Sequence, residues 1–138
     1  MNVFIDASAI VAILAAEEDG PALSARVDRA GSIHTSPIAI YEAVLALARR
    51  RVVSIVDAQQ AVDAFISSSG TQIIPITSEI GREAIRAFAR YGRGRHPAAL
   101  NMGDCFAYAC ARTLVVPLLY KGEDFAQTDL TGQPPARA

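Results

Sequence analysis

No apolar run in the sequence approaches the roughly 18 residues that a membrane-spanning helix requires. The N-terminus, MNVFIDAS, carries no basic stretch and meets an acid at Asp6. A secretory leader is therefore not supported, and a cytoplasmic location is the expectation. Cysteine is scarce, with only Cys105 and Cys110. Five residues apart on a helix, they would point about 140° away from each other, which does not suit a disulfide. His34 and His96 do not supply the partners or spacing of a zinc site. Lysine is nearly absent: Lys121 stands alone, and arginine carries almost all the positive charge. Internal repeats, linkers and low-complexity segments are also missing.

What remains is a chain of 138 residues, 51% hydrophobic, with net charge −1. That is the length and composition of one domain with a sizeable core. Residues 1–132 are read as the domain and 133–138 as a disordered tail. Residues 2–5 read as a short buried strand ending at Asp6. Ser8 is expected to cap the helix that follows, and Gly20-Pro21 opens a second helix over 21–30. SIHT (32–35) reads as a strand. Ser36-Pro37 starts a helix that runs through Glu42 to Arg49-Arg50-Arg51, where cations suit the helix C-terminus. Ser54 starts another helix to about Ser67. QIIPI (72–76) reads as a strand, Thr77 or Ser78 caps a helix to Tyr91, and 92–100 reads as a loop. Asn101 opens a helix, Val115–Tyr120 reads as a strand, and GEDFAQTDL as a turn with one last short strand. Strands alternating with helices imply an α/β, three-layer fold, with a mainly parallel central sheet of four to five strands flanked by helices.

In such a sheet, ligands gather beyond the carboxyl ends of the strands. That rule selects Asp6, directly after the first strand. It also selects Glu42, in the second turn of the helix after strand two, Asp104, in the first turn of its helix, and Asp124, after the strand Val115–Tyr120. Converging carboxylates repel unless a cation neutralises them. Oxygen ligands without His or Cys suit Mg²⁺ or Mn²⁺, and such a centre fits metal-assisted phosphodiester hydrolysis. Taken singly, each acid has a plainer role: Asp6 a helix cap, Asp104 a capping-box partner of Asn101, Glu42 an exposed helix residue, Asp124 and Asp129 turn residues. The signal lies in the combination.

That combination resembles the PIN-domain family, within it the VapC-type ribonuclease toxins. FIDASAIVAIL is similar to the family's opening strand and turn, and SPIAIYEAVLALARR to its second motif. The stretch from YGRGRHPAALNMGDCFAYACAR to PLLYKGEDFAQTDL resembles a VapC-type toxin, and the resemblance covers residues 2–131. It implies an endoribonuclease that cuts single-stranded or looped RNA and stops translation. Asp6 and Asp104 fall on the metal-binding acids and Glu42 on the third site acid. Asp124 takes the fourth place, with Glu123 and Asp129 as alternatives. Ser8 matches a hydroxyl near the site that steadies a carboxylate or water, on the substrate-binding side. The resemblance also implies Mg²⁺ or Mn²⁺ dependence, a homodimer, and a VapB-like antitoxin that blocks the acids.

An acidic pocket needs cations to hold RNA. Arg82, Arg86 and Arg90 share one helix face, and Arg93, Arg95 and His96 carry positive charge toward Asp104. Arg93 and Arg95 are the expected phosphate-binding residues; a solvated, internally paired helix face is the plainer reading. Of Tyr41, Tyr91, Tyr108 and Tyr120, most are expected to pack rather than stack on bases. Competing readings are weaker. A haloacid-dehalogenase-like phosphotransferase wants a second Asp where Ser8 stands. A receiver-like domain wants an Asp after the third strand, where QIIPITS has none. A catalytically inert interaction module would be expected to lack acids that are all present.

Overall fold

The computed structural model describes residues 1–122 and 124–132, the side chains at 124, 131 and 132 excepted. The chain alternates β1 (Asn2–Ile5), α1 (Ala7–Leu14), α2 (Gly20–Arg29), β2 (Ser32–Thr35), α3 (Pro37–Arg51), α4 (Ile55–Ser69), β3 (Gln72–Ile73), α5 (Ser78–Tyr91), α6 (Met102–Leu114) and β4 (Leu118–Leu119). Two 3₁₀ turns, Asp124–Gln127 and Asp129–Gly132, follow. The four strands form one parallel sheet in the order β3-β2-β1-β4, with Val3 opposite Ile33 and Phe4 opposite Leu118. The expected α/β architecture is present, with four strands.

Hydroxyl caps start the helices where the sequence places them. Ser36, Ser54 and Thr77 accept from the backbone N–H of Ala39, Asp57 and Ile80. Four details differ from expectation. Asp6, not Ser8, caps α1: its carboxylate accepts from Ser8 N. Strand β3 is two residues rather than five, because its partner β2 ends at Thr35, where Ser36 caps α3, and the Ile74 N–H makes the last bond, to Thr35 O. Strand β4 is two residues because α6 runs to Leu114 and turns through Val115 in the left-handed region. The expected last short strand is replaced by the 3₁₀ turns. The tail assignment, 133–138, lies outside the described residues.

The sheet divides the core in two. Alternation along β1 sends Phe4 to one face, where it joins Leu118, Tyr91, Tyr108 and the apolar sides of α5 and α6. Val3 and Ile5 point the other way, to Ile33, Leu119 and helices α1 to α4. Phe4, Ile5, Leu118 and Leu119 are fully buried, so truncating any of them to Ala should cost about 2–5 kcal/mol. Cys105 and Cys110 are free and buried within the first of these layers. Tyr91, Tyr108 and Tyr120 are buried, whereas Tyr41 is 64% exposed. On α4, Ala58 and Val62 are buried, with Ala61, Phe65 and Ile66 packed against them, while Ile55 and Val56 are exposed. Most of that helix's apolar stripe thus serves the chain's own core. Among the described residues, no helix is long and apolar enough to cross a membrane.

Candidate active site

All four strands run in one direction, so the segments leaving their carboxyl ends share an edge. Asp6 follows β1, Glu42 lies on the helix after β2, and Lys121 follows β4. Asp104 joins them from the first turn of α6. Asp6, Glu42 and Asp104 line one cavity of about 580 Å³, together with Ser8, Glu17, Tyr41, Arg49, Arg50 and Lys121.

Two of the acids are placed by backbone donors. Asp6 Oδ2 accepts from Ser8 N at 3.0 Å and from Ser8 Oγ at 2.6 Å. Ser8 Oγ in turn accepts from Lys121 N at 3.0 Å. One hydroxyl therefore ties the carboxyl end of β4 to the acid at the end of β1. Asp104 Oδ2 accepts from Asn101 N at 3.1 Å, and Asn101 Oδ1 accepts from Asp104 N at 2.8 Å, a complete capping box. The capping roles weighed from the sequence are real, and they coexist with the cavity role. Ser8 acts on Asp6 and on the β4 end, which makes it a positioning residue.

Glu42 is placed by a close approach. A Cβ built on Gly103 would lie 1.7 Å from Glu42 Oε2 and 2.2 Å from its carboxyl carbon. The carboxylate rests against the bare α-carbon of α6's first turn. Gly103 has an ordinary helical backbone, so the glycine serves the approach rather than a turn. Burial pushes the Glu42 carboxyl up to about 7, and the charges of Asp6 and then Asp104 add to the rise. Glu42 therefore responds to both other acids.

Other expected residues fall elsewhere. Asp129 accepts from Tyr108 Oη at 2.5 Å and pairs with Arg112 at 3.3 Å and Arg90 at 4.0 Å. It is a structural pin between α5, α6 and the final turn, and it does not line the cavity. Arg86 pairs with Glu83 on its own helix. Arg93 and Arg95 belong to the loop after α5 and are not among the cavity's lining residues; Arg95 lies over the Phe88 ring at 5.6 Å. The side chain of Asp124 and the whole of Glu123 lie outside the described residues. Gly103, Glu17, Arg49, Arg50 and Lys121 also belong to the site, and sequence pattern alone points to none of them there. A glycine inside the first turn of a helix was the one available signal for Gly103, since alanine would favour the helix by about 1 kcal/mol.

The donor set fits a hard divalent cation: Asp6, Glu42 and Asp104 bring oxygen ligands only to one cavity. Among the described residues, no three such groups already stand close enough to enclose an ion. Asp6, Glu42 and Asp104 are the cavity acids that could hold one, and Asp6 and Asp104 are anchored by backbone N–H groups.

Residues 3–130 match the family model of the PIN domain. A VapC ribonuclease of Rhizobium meliloti is 44% identical over 139 residues, covering 92% of this chain and 98% of the relative. Ribonuclease VapC42 of Mycobacterium tuberculosis is 35% identical over 127 residues, covering 91% and 95%. Among solved structures, the sarcin-ricin loop cleaving toxin VapC20 of Mycobacterium tuberculosis superposes with a TM-score of 0.72 at 18% identity, over 96% of both chains. A toxin–antitoxin complex from Klebsiella pneumoniae gives 0.67 at 16% identity, over 93% of both.

Proposed function

The chain belongs to the PIN-domain family and, within it, to the VapC ribonucleases, and from that membership we propose that it is the toxin of a toxin–antitoxin pair, an endoribonuclease that hydrolyses RNA in the acidic cavity. The observation that carries this reading is the meeting of Asp6, Glu42 and Asp104, from three distant segments, in one cavity at the carboxyl edge of the sheet. Asp6 and Asp104 would hold the divalent cation, Mg²⁺ or Mn²⁺. When bound, it supplies Lewis-acid stabilisation of phosphodiester charge and a more acidic water. Glu42, which lines the same cavity, is placed to accept a proton from attacking water. Ser8 holds Asp6 in line through its short hydrogen bond. Asp124 keeps the fourth place in this proposal, and Asp129 loses it because its carboxylate is engaged with Tyr108 and Arg112.

A VapB-like antitoxin that covers the acids, and a homodimer in solution, complete the proposal. The Klebsiella neighbour, solved as a toxin–antitoxin complex, supports the antitoxin. The deciding experiment incubates the purified chain with structured RNA in Mg²⁺, Mn²⁺ or EDTA, beside the Asp6→Asn, Glu42→Gln and Asp104→Asn variants. Cleavage that needs the divalent ion and all three acids is the expected outcome. Cleavage that persists in EDTA, or in all three variants, refutes it.

A further inference from the structure

The cavity has a second wall, and it is positive. Arg49 and Arg50 reach it from the last turn of α3, and Lys121, the chain's single lysine, reaches it from the end of β4. Glu17 also lines the cavity and takes both cations: Lys121 Nζ lies 2.7 Å from its Oε1, and Arg50 pairs with its Oε2. Exposure is uneven across this cluster. The Glu17 side chain is 13% exposed, while Lys121 is 34% and Arg50 58% exposed. The acid is shielded and the cations are the more exposed partners.

The position of Lys121 is not accidental to the site. Its backbone N–H bonds the same Ser8 hydroxyl that anchors Asp6. Lys121 and the first acid are therefore tied to one hydroxyl. The arginines of α5 contribute nothing comparable: Arg86 and Arg90 pair with Glu83 and Asp129, and no α5 arginine lines the cavity. An anionic polymer entering an acidic cavity needs cations close by. Among the described residues, Arg49, Arg50 and Lys121 are the cations at this cavity.

We propose that Arg50 and Lys121, with Arg49 beside them, bind a backbone phosphate of the RNA adjacent to the acids, and that Glu17 holds these cations in the free protein until the phosphate displaces it. A phosphodiester offers two non-bridging oxygens and one negative charge. It can therefore replace a carboxylate across the same two donors, and a guanidinium matches it with paired N–H groups. Glu17 prevents two neighbouring cations from repelling each other, and it weakens the binding of anions that engage too few donors to displace it. This inference rests on the ribonuclease reading and adds where the substrate's backbone lies.

The test measures binding of a single-stranded oligoribonucleotide by fluorescence anisotropy in Mg²⁺, with cleavage silenced by Asp104→Asn. Arg50→Gln and Lys121→Gln in that background should each weaken binding about tenfold, and the slope of log K against log salt should shallow by about 0.7 for each phosphate that is no longer neutralised. Glu17→Gln should bind several-fold tighter, and the gain should vanish when Arg50→Gln and Lys121→Gln are added. Arg86→Gln and Arg112→Gln, which lie away from the cavity, should bind as the parent does. Should Lys121→Gln fail to fold, Arg50→Gln decides alone, since its side chain is largely in solvent. Parent-like affinity and salt slope in Arg50→Gln, or no tightening in Glu17→Gln, overturns the phosphate site while leaving the ribonuclease reading standing. Loss of binding to an antitoxin chain with RNA binding unchanged also overturns it. A parent that binds no RNA at all removes both.

Discussion

Replacing Gly103 with Ala adds one methyl group at the point where Glu42 touches α6. The new Cβ would stand 1.7 Å from Oε2 and 2.2 Å from the carboxyl carbon, whereas real Cβ atoms essentially never approach another heavy atom within 3.0 Å. The carboxylate must therefore retreat by more than an ångström, because the helix carrying residue 103 is fixed by its capping box. A displacement of about 1 Å at a reacting group is enough to cost roughly 10²-fold in rate. The substitution is otherwise favourable, since alanine improves a helix by about 1 kcal/mol over glycine. The two effects separate in a double variant. Gly103→Ala alone should lower RNA cleavage about 10²-fold while leaving the fold intact. Gly103→Ala in a Glu42→Ala background, where the conflict is gone, should raise stability to denaturant by roughly 0.5–1 kcal/mol. A fluorogenic oligoribonucleotide reports the first and urea unfolding the second. Cleavage by Gly103→Ala within about twofold of the parent would show that Glu42 has another place to stand, and the reasoning would fall.

Glu42 also sets a pH dependence. Its carboxyl is raised from 4.5 to about 7 in the folded chain, so between those values the folded state holds a proton that the unfolded state has released. Stability of the metal-free chain should therefore be greatest, in this contribution, below about pH 4.5 and fall as pH rises through about 7. Solvent reaching the cavity reduces the change to the order of 1–2 kcal/mol. Glu42→Gln should remove that fall, and Mg²⁺ should raise the melting temperature more at pH 8 than at pH 5.5; equal pH dependence in parent and variant by chemical unfolding contradicts this. Ser8→Ala removes the hydroxyl shared by Asp6 and Lys121 N, and should cost about 1–3 kcal/mol and about 10- to 100-fold in cleavage. Thermal melts and cleavage rates both unchanged would dismiss its positioning role. Val52 ends α3 with φ of 53° while 89% exposed, a conformation that a β-branched residue adopts at a cost. Val52→Gly should stabilise the chain by roughly 0.5–1 kcal/mol in urea, and a loss of stability would show that the valine makes contacts that outweigh its strain.

The layers of the fold were legible because they depend on local chemistry. Ser36-Pro37, Ser54, Thr77 and Asn101 each begin a helix, and each cap is a short-range hydrogen bond that the sequence displays directly. The strand lengths were less legible. Val115–Tyr120 is apolar throughout and QIIPI is apolar after Gln72, and periodicity cannot say where a helix stops yielding to a strand. Two structural facts settle it: Val115 turns left-handed to close α6, and β2 ends at Thr35, which leaves β3 no partner beyond the Ile74 N–H.

The site divides along the same line. Asp6, Glu42 and Asp104 were found by combining strand direction with residue type, and both are properties of the sequence once the alternation of elements is known. The positive wall was assigned to Arg93 and Arg95 because they are close to Asp104 in sequence, but the cations that line the cavity come from the far end of α3 and from beyond β4. Helical periodicity shows that Arg82, Arg86 and Arg90 share a face; it does not show that Arg86 and Arg90 turn toward Glu83 and Asp129 rather than toward the acids. Asp6 and Asp104 show why single-residue readings stay ambiguous. Each accepts a backbone N–H in the first turn of a helix with one carboxylate oxygen, and that contact aims the carboxylate into the cavity. In this molecule a helix cap is the device that places the acid, so asking whether either residue caps or catalyses poses a choice that the geometry does not require.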